Sequence, residues 1–175
     1  MTKTAIRLSI WLFLSCLICW PVIVAPSDYL LGDPRIDVWN HAWGYWYVYY
    51  QLAQGAFPLH TDLVGSPEGG SLYFIDTPGA IIAYPVTSLF GPAVGYNFIL
   101  VSRITMAAFG AQLLCEELWK KGSYSYFAGA AYATTPFLLC ELGNGISEVC
   151  AVQWIPLTLW ATAKALRRGR WRDWL

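Results

Sequence analysis

Two aspartates and a histidine fall within one short stretch, Gly32-Asp33-Pro34-Arg35-Ile36-Asp37-Val38-Trp39-Asn40-His41-Ala42-Trp43. A carboxylate can take a proton from a hydroxyl, and an imidazole one helical turn away offers a proton shuttle or a second ligand. Asp33 before Pro34 matches a helix start, with an N-cap carboxylate and a proline whose missing N–H is not needed there. The pattern predicts a helix from Pro34 to about Gln54. On it, Asp37 and His41 share one face, while Trp39, Trp43, Trp46 and Tyr50 form an aromatic stripe on another. The plainer roles are an N-cap for Asp33 and surface positions on a structural helix for Asp37 and His41.

These residues directly follow an apolar run, Ala5 to Ala25, with no charge after Arg7. Roughly 20 residues at helical rise cover the ~30 Å hydrocarbon core of a bilayer, so the run reads as a transmembrane helix. A cleaved signal peptide is the competing reading, but the run is long for one and Pro26 would follow the cut. Composition agrees with a membrane protein: 57% of residues are hydrophobic and 17% aromatic, and 13% charged is far below the roughly 25% of soluble domains.

Three further spans are expected, about Tyr96 to Leu118, Tyr124 to Cys140 and Val149 to Leu166. Lys3, Arg7, Lys120, Lys121 and the cluster Arg167, Arg168, Arg170 and Arg172 then share one side, which the positive-inside rule makes cytoplasmic. Both termini are expected there, and the segment from Pro26 to Gly95 and the acidic loop from Glu141 to Glu148 lie outside. The aromatic stripe suits a helix lying along the outer interface. The loop from Phe57 to Gly70 is rich in turn formers and is expected to be irregular. Asp76-Thr77-Pro78 matches a second capped helix start, opening an apolar stretch from Gly79 to Phe90 too short to span.

The expected fold is therefore all-α, a polytopic transmembrane bundle of about four spans with juxtamembrane interfacial helices in the first outer loop. Residues 1–175 read as one membrane domain, and Trp174 and Leu175 look like the entry to another apolar helix, as in the N-terminal portion of a longer protein. All five cysteines lie in or beside apolar runs, where packing is their default role. Arg103 falls within the second span, as a snorkelling anchor or as a guanidinium able to bind a lipid phosphate through paired hydrogen bonds. The basic cluster beside the last span is explained by topology, leaving no case for nucleic acid.

A cytoplasmic N-terminus, one span, a long acid-bearing outer loop and further spans joined by basic loops resemble the start of GT-C-class glycosyltransferases. The segments GDPRIDVWNHAW, FPLHTDLVGSPEGGSLYF and ELGNGISEVCAVQWIPLTLWATAKALRRGRWRDWL also resemble bacterial membrane proteins grouped with that class. The resemblance covers nearly the whole chain. It implies transfer of a sugar from a polyprenyl-phosphate donor to an acceptor on the outer face of the cell membrane. It implies a catalytic acid in the first outer loop, here Asp33 or Asp37 with His41 beside them, and helper acids in the second, here Glu141 or Glu148. The two aspartates are four residues apart rather than adjacent, which departs from the commonest pattern and leaves the identity of the base open. The residues assign no metal set, and a divalent metal is compatible with the reading. A non-catalytic scaffold or assembly subunit is the alternative, and a transporter the third, with only Arg103 near the depth a transporter needs.

Overall fold

The computed structural model describes residues 2–20, 22–71, 76–119 and 122–169. The expectations placed on Lys120, Lys121, Arg170, Arg172, Trp174 and Leu175 lie outside them. The described residues are mostly helical: α1 (Lys3–Ile18), α2 (Val38–Ala53), α3 (Thr77–Phe90), α4 (Pro92–Trp119), α5 (Gly122–Ala133), α6 (Pro136–Asn144) and α7 (Trp154–Arg168). A two-residue antiparallel pair, β1 (His60–Thr61) and β2 (Gly70–Ser71), sits between α2 and α3, with His60 opposite Ser71. That pair is more regular than the turn-rich sequence predicts. Gly65 and Gly69, both at positive φ, close the loop, and a Cβ on Gly69 would lie 2.6 Å from the Thr61 carbonyl oxygen.

Among the described residues one helix, α4, is long and apolar enough to cross a membrane, with a mean hydropathy of 1.7 in its best window. It contains the whole of the expected second span. The bounds expected for the other spans are corrected. α1 is about 24 Å long and stops at Ile18, with turns at residues 19–20 and non-helical backbone over residues 22–28, instead of running to Ala25. The stretch from Tyr124 to Cys140 is broken into α5 and α6 at Thr134-Thr135, because Pro136 has no N–H to continue the ladder. α7 begins at Trp154 and not at Val149.

The chain forms two compact units: residues 1–18, 101–140 and 150–175 make unit 1, and residues 19–100 and 141–149 make unit 2. In unit 1 small residues let helices close up. A Cβ on Gly129 of α5 would lie 2.6 Å from the Trp11 ring and 2.7 Å from the Ala108 carbonyl oxygen. Polar groups of α1 and α4 pair: Trp11 Nε1 donates to Gln112 Oε1 (2.7 Å), Thr105 Oγ1 donates to Ser15 Oγ (2.9 Å), and Arg7 meets Glu116 (2.9 Å). Arg167 of α7 donates to the Glu117 and Leu118 carbonyls, where a cation complements the negative end of α4.

In unit 2, α2 buries Val38, His41, Tyr45 and Val48, a helical 3–4 spacing, against α3 and its neighbours. Trp39 and Tyr50 stay exposed, and Trp43 stacks on Tyr47 at 5.2 Å and Trp46 on Tyr50 at 5.4 Å, so the aromatic stripe forms as expected. Asp76 caps α3 as read from sequence: Oδ1 accepts from the Gly79 amide (3.1 Å), with Pro78 in the first turn.

Candidate functional site

α2 starts at Val38, four residues after the expected Pro34, and this changes the meaning of both aspartates. Asp33 is not the N-cap. Its carboxylate accepts from the Arg35 amide (2.9 Å) and from the Arg35 guanidinium at two points, 3.0 and 2.7 Å. This fork-to-fork pairing holds the Asp33 carboxyl at about 2, well below its ordinary 3.8. The residue at the N-cap position is Asp37, and its side chain makes no cap hydrogen bond. Asp37 is exposed, and among the described residues its carboxylate has no ion pair or hydrogen-bond partner.

His41 is buried, 3% exposed, and its side-chain partner is not Asp37. The two are joined only through the backbone, where the His41 amide donates to the Asp37 carbonyl (3.2 Å). The His41 ring instead meets the loop after α6: Nδ1 lies 3.1 Å from Glu148 Oε2 and 3.3 Å from Ser147 Oγ. A carboxylate facing Nδ1 selects the tautomer with the proton there, leaving Nε2 as the basic nitrogen. Among the described residues Nε2 has no hydrogen-bond partner. Glu148 is half exposed, so the pair runs from the interior of unit 2 to its surface.

Two glycines bring that loop onto α2. Gly145, at φ +77°, packs so closely that a Cβ would lie 2.7 Å from Val38 Cβ, and a Cβ on Gly32, at φ +134°, would lie 2.6 Å from Gly145 Cα. The Asp33 amide donates to the Gly143 carbonyl (2.7 Å), and the buried Tyr96 hydroxyl lies 2.8 and 2.9 Å from the Leu31 and Gly145 carbonyl oxygens. Tyr45, edge-on to Tyr96 at 5.5 Å, donates to Asp76 Oδ2 (2.7 Å), tying α2 to the start of α3.

The segment before Asp33 is held by one side chain. The buried Asn97 accepts from the Leu31 amide (3.1 Å) and donates to the Pro26 (2.9 Å) and Tyr29 (2.7 Å) carbonyls. A groove of about 460 Å³ opens between this segment and the start of α2, and Pro34 and Val38, on either side of Asp37 in the chain, line it.

Of the residues singled out from sequence, unit 2 therefore contains Asp33, Asp37, His41, Glu141 and Glu148. Glu148 is on His41, while Glu141 stays on α6 with its carboxylate 3.5 Å from the Asn144 amide nitrogen. Arg103 lies in unit 1, buried on α4 and engaged in its own interaction. No protein-family model, curated protein or solved structure matches the chain. Among the described residues no three His, Cys, Asp or Glu side chains are grouped to hold a metal ion. Sequence reasoning missed Asn97, Tyr96 and Ser147. An asparagine inside an otherwise apolar run was the available signal for Asn97, since such an amide must find partners.

Proposed function

We propose that the protein is a GT-C-like integral membrane glycosyltransferase acting on the extracytoplasmic face with a polyprenyl-phosphate sugar as donor. The observation that carries this reading is the unengaged, exposed carboxylate of Asp37 at the start of α2, one helical turn along the chain from the buried His41 that pairs with Glu148. Asp37 takes the proton of the acceptor hydroxyl as its oxygen bonds to the anomeric carbon. The bond from that carbon to the phosphate oxygen breaks, and its electron pair leaves with the lipid phosphate. His41, buried and paired with Glu148 and tied to Asp37 only through the backbone, holds the start of α2 that carries the base.

The membrane setting is supported by α4 and by exposed apolar side chains at helical spacing. On α1, Ile6, Ile10, Phe13 and Leu17 are exposed by 47, 43, 66 and 55%, a face suited to lipid. In this reading the chain is a polytopic helical membrane protein whose acid-bearing segment after α1 lies on the outer side. The basic residues then mark the cytoplasmic side. Labelling a cysteine placed at Glu68 with an impermeant reagent tests that topology: reaction from outside is expected, and reaction only after permeabilisation refutes it.

The decisive experiment is sugar transfer by the protein in membranes at matched abundance. Asp37→Asn is expected to lower the rate by about 10² to 10⁴, the usual range for a positioned general base. Unchanged transfer removes Asp37 from the mechanism, and no transfer by the unmodified protein from any polyprenyl-phosphate sugar leaves the scaffold reading.

A further inference from the structure

We infer that the groove beside Asp37 binds a pyranose ring of the acceptor, stacked on Trp39 and Tyr29 and hydrogen-bonded to Asp28. The assignment to the acceptor rests on the proposed transferase reading; the binding itself does not.

The groove has a mixed wall. Trp39 and Tyr29, 61 and 56% exposed, supply aromatic faces, and Ser27 and Asp28 supply polar groups. Ser27 Oγ donates to Asp28 Oδ1 (3.0 Å), and among the described residues Asp28 Oδ2 has no partner. That exposed oxygen can accept a hydrogen bond from a ligand hydroxyl. The wall is built before any ligand arrives, because Asn97 fixes the backbone on both sides of Asp28 through the Pro26 and Tyr29 carbonyls. Such preorganisation lowers the ordering cost of binding.

Charge selects among occupants. No Lys, Arg or His lines the groove among the described residues, and Arg35, next to Pro34, is committed to Asp33 at two points. An anionic headgroup would meet a carboxylate with no cation to balance it. An acyl or prenyl chain would strip water from Asp28 without returning a hydrogen bond. A pyranose has an apolar C–H face to lay on an aromatic ring and hydroxyl donors at its edge, and so satisfies both kinds of wall. A volume of about 460 Å³ is within the usual range for small-molecule sites. Pro34 and Val38, which line the groove, flank Asp37 in the chain.

The test is saturation-transfer NMR on the purified full chain in detergent with free glucose, galactose, mannose and N-acetylglucosamine at millimolar concentrations. At least one pyranose is expected to bind, with affinity about tenfold weaker for Trp39→Ala and partly retained by Trp39→Phe. Asp28→Asn, which keeps one acceptor oxygen, is expected to weaken binding less. Inorganic phosphate is not expected to compete. The inference is overturned by no binding of any of the four sugars, by unchanged affinity in Trp39→Ala, or by displacement with phosphate. Trp39 is exposed, so loss of the fold is not expected, and an unchanged helical circular-dichroism spectrum verifies it. Pyranose binding without sugar transfer would retire the transferase reading and keep the groove. Transfer with an acceptor KM unaltered by Trp39→Ala would retire the groove and keep the transferase.

Discussion

Asn97→Ala is the sharpest test of how unit 2 is held, because one small side chain makes three buried or half-buried hydrogen bonds to a segment with no regular structure of its own. At a net worth of about 1 kcal/mol each, their loss totals about 3 kcal/mol, before any cost of leaving the Leu31 amide unpaired. That shift raises the open population of the segment from Cys19 to Leu31 by about a hundredfold. Cys19 is fully buried in unit 2 and Cys150 fully buried in unit 1, so each is a local reporter. The assay is the rate of maleimide modification of Cys19, with the more accessible Cys16, Cys115 and Cys140 replaced by serine and Cys150 as the internal reference. Cys19 is expected to react about a hundredfold faster in Asn97→Ala, in the regime where closing outpaces labelling. Acceleration of less than about threefold would refute the argument that Asn97 staples the segment.

Gly145→Ala forces a methyl group to within 2.7 Å of Val38 Cβ at a positive φ, so unit 2 is expected to lose several kcal/mol and Glu148 to draw away from His41; thermal unfolding and the His41 imidazole chemical shifts check both. Thr87→Val should be neutral or stabilising in the same melts, because Thr87 Oγ1 is buried with no hydrogen-bond partner among the described residues. The Asp33–Arg35 pairing gives a pH prediction. With the folded carboxyl at about 2 and the ordinary value at 3.8, its stabilisation is fully present above the ordinary value and lost as pH falls through the folded one. Arg35→Met should return the Asp33 titration, followed by carbon-detected NMR, towards the ordinary range.

Local pattern was enough where one element decides its own structure. The apolar run around Tyr96 to Leu118 is long enough to declare α4, and Asp76-Thr77-Pro78 carries its own cap, amide and proline in sequence order. Asp33-Pro34 carries the same signature and yet starts no helix, because Arg35 two residues on competes for the carboxylate. That competitor was visible in the sequence. So was Pro136, which interrupts the expected third span. The pairing of His41 with Glu148 was not visible, since the partners are more than a hundred residues apart and meet only because Gly32, Gly145 and Val38 pack without room for another carbon. Residue types named the chemistry, whereas the partner of each group was decided by distant packing. Asp37 and His41 thus looked like a dyad from spacing alone and are joined only through their backbone.

That close packing also sets a rule that can be carried to other chains. Two hydrogen side chains at positions 32 and 145 and a compact side chain at 38 are three choices locked together by van der Waals radii. Enlargement at any one has to be answered at another, so homologues that keep this arrangement should vary the three in concert while the intervening hundred residues drift. A glycine directly before Asp-Pro, paired with the final glycine of Leu-Gly-Asn-Gly some 110 residues later, is therefore a fingerprint for finding kin whose remaining similarity has faded, and it derives from the volume of a methyl group.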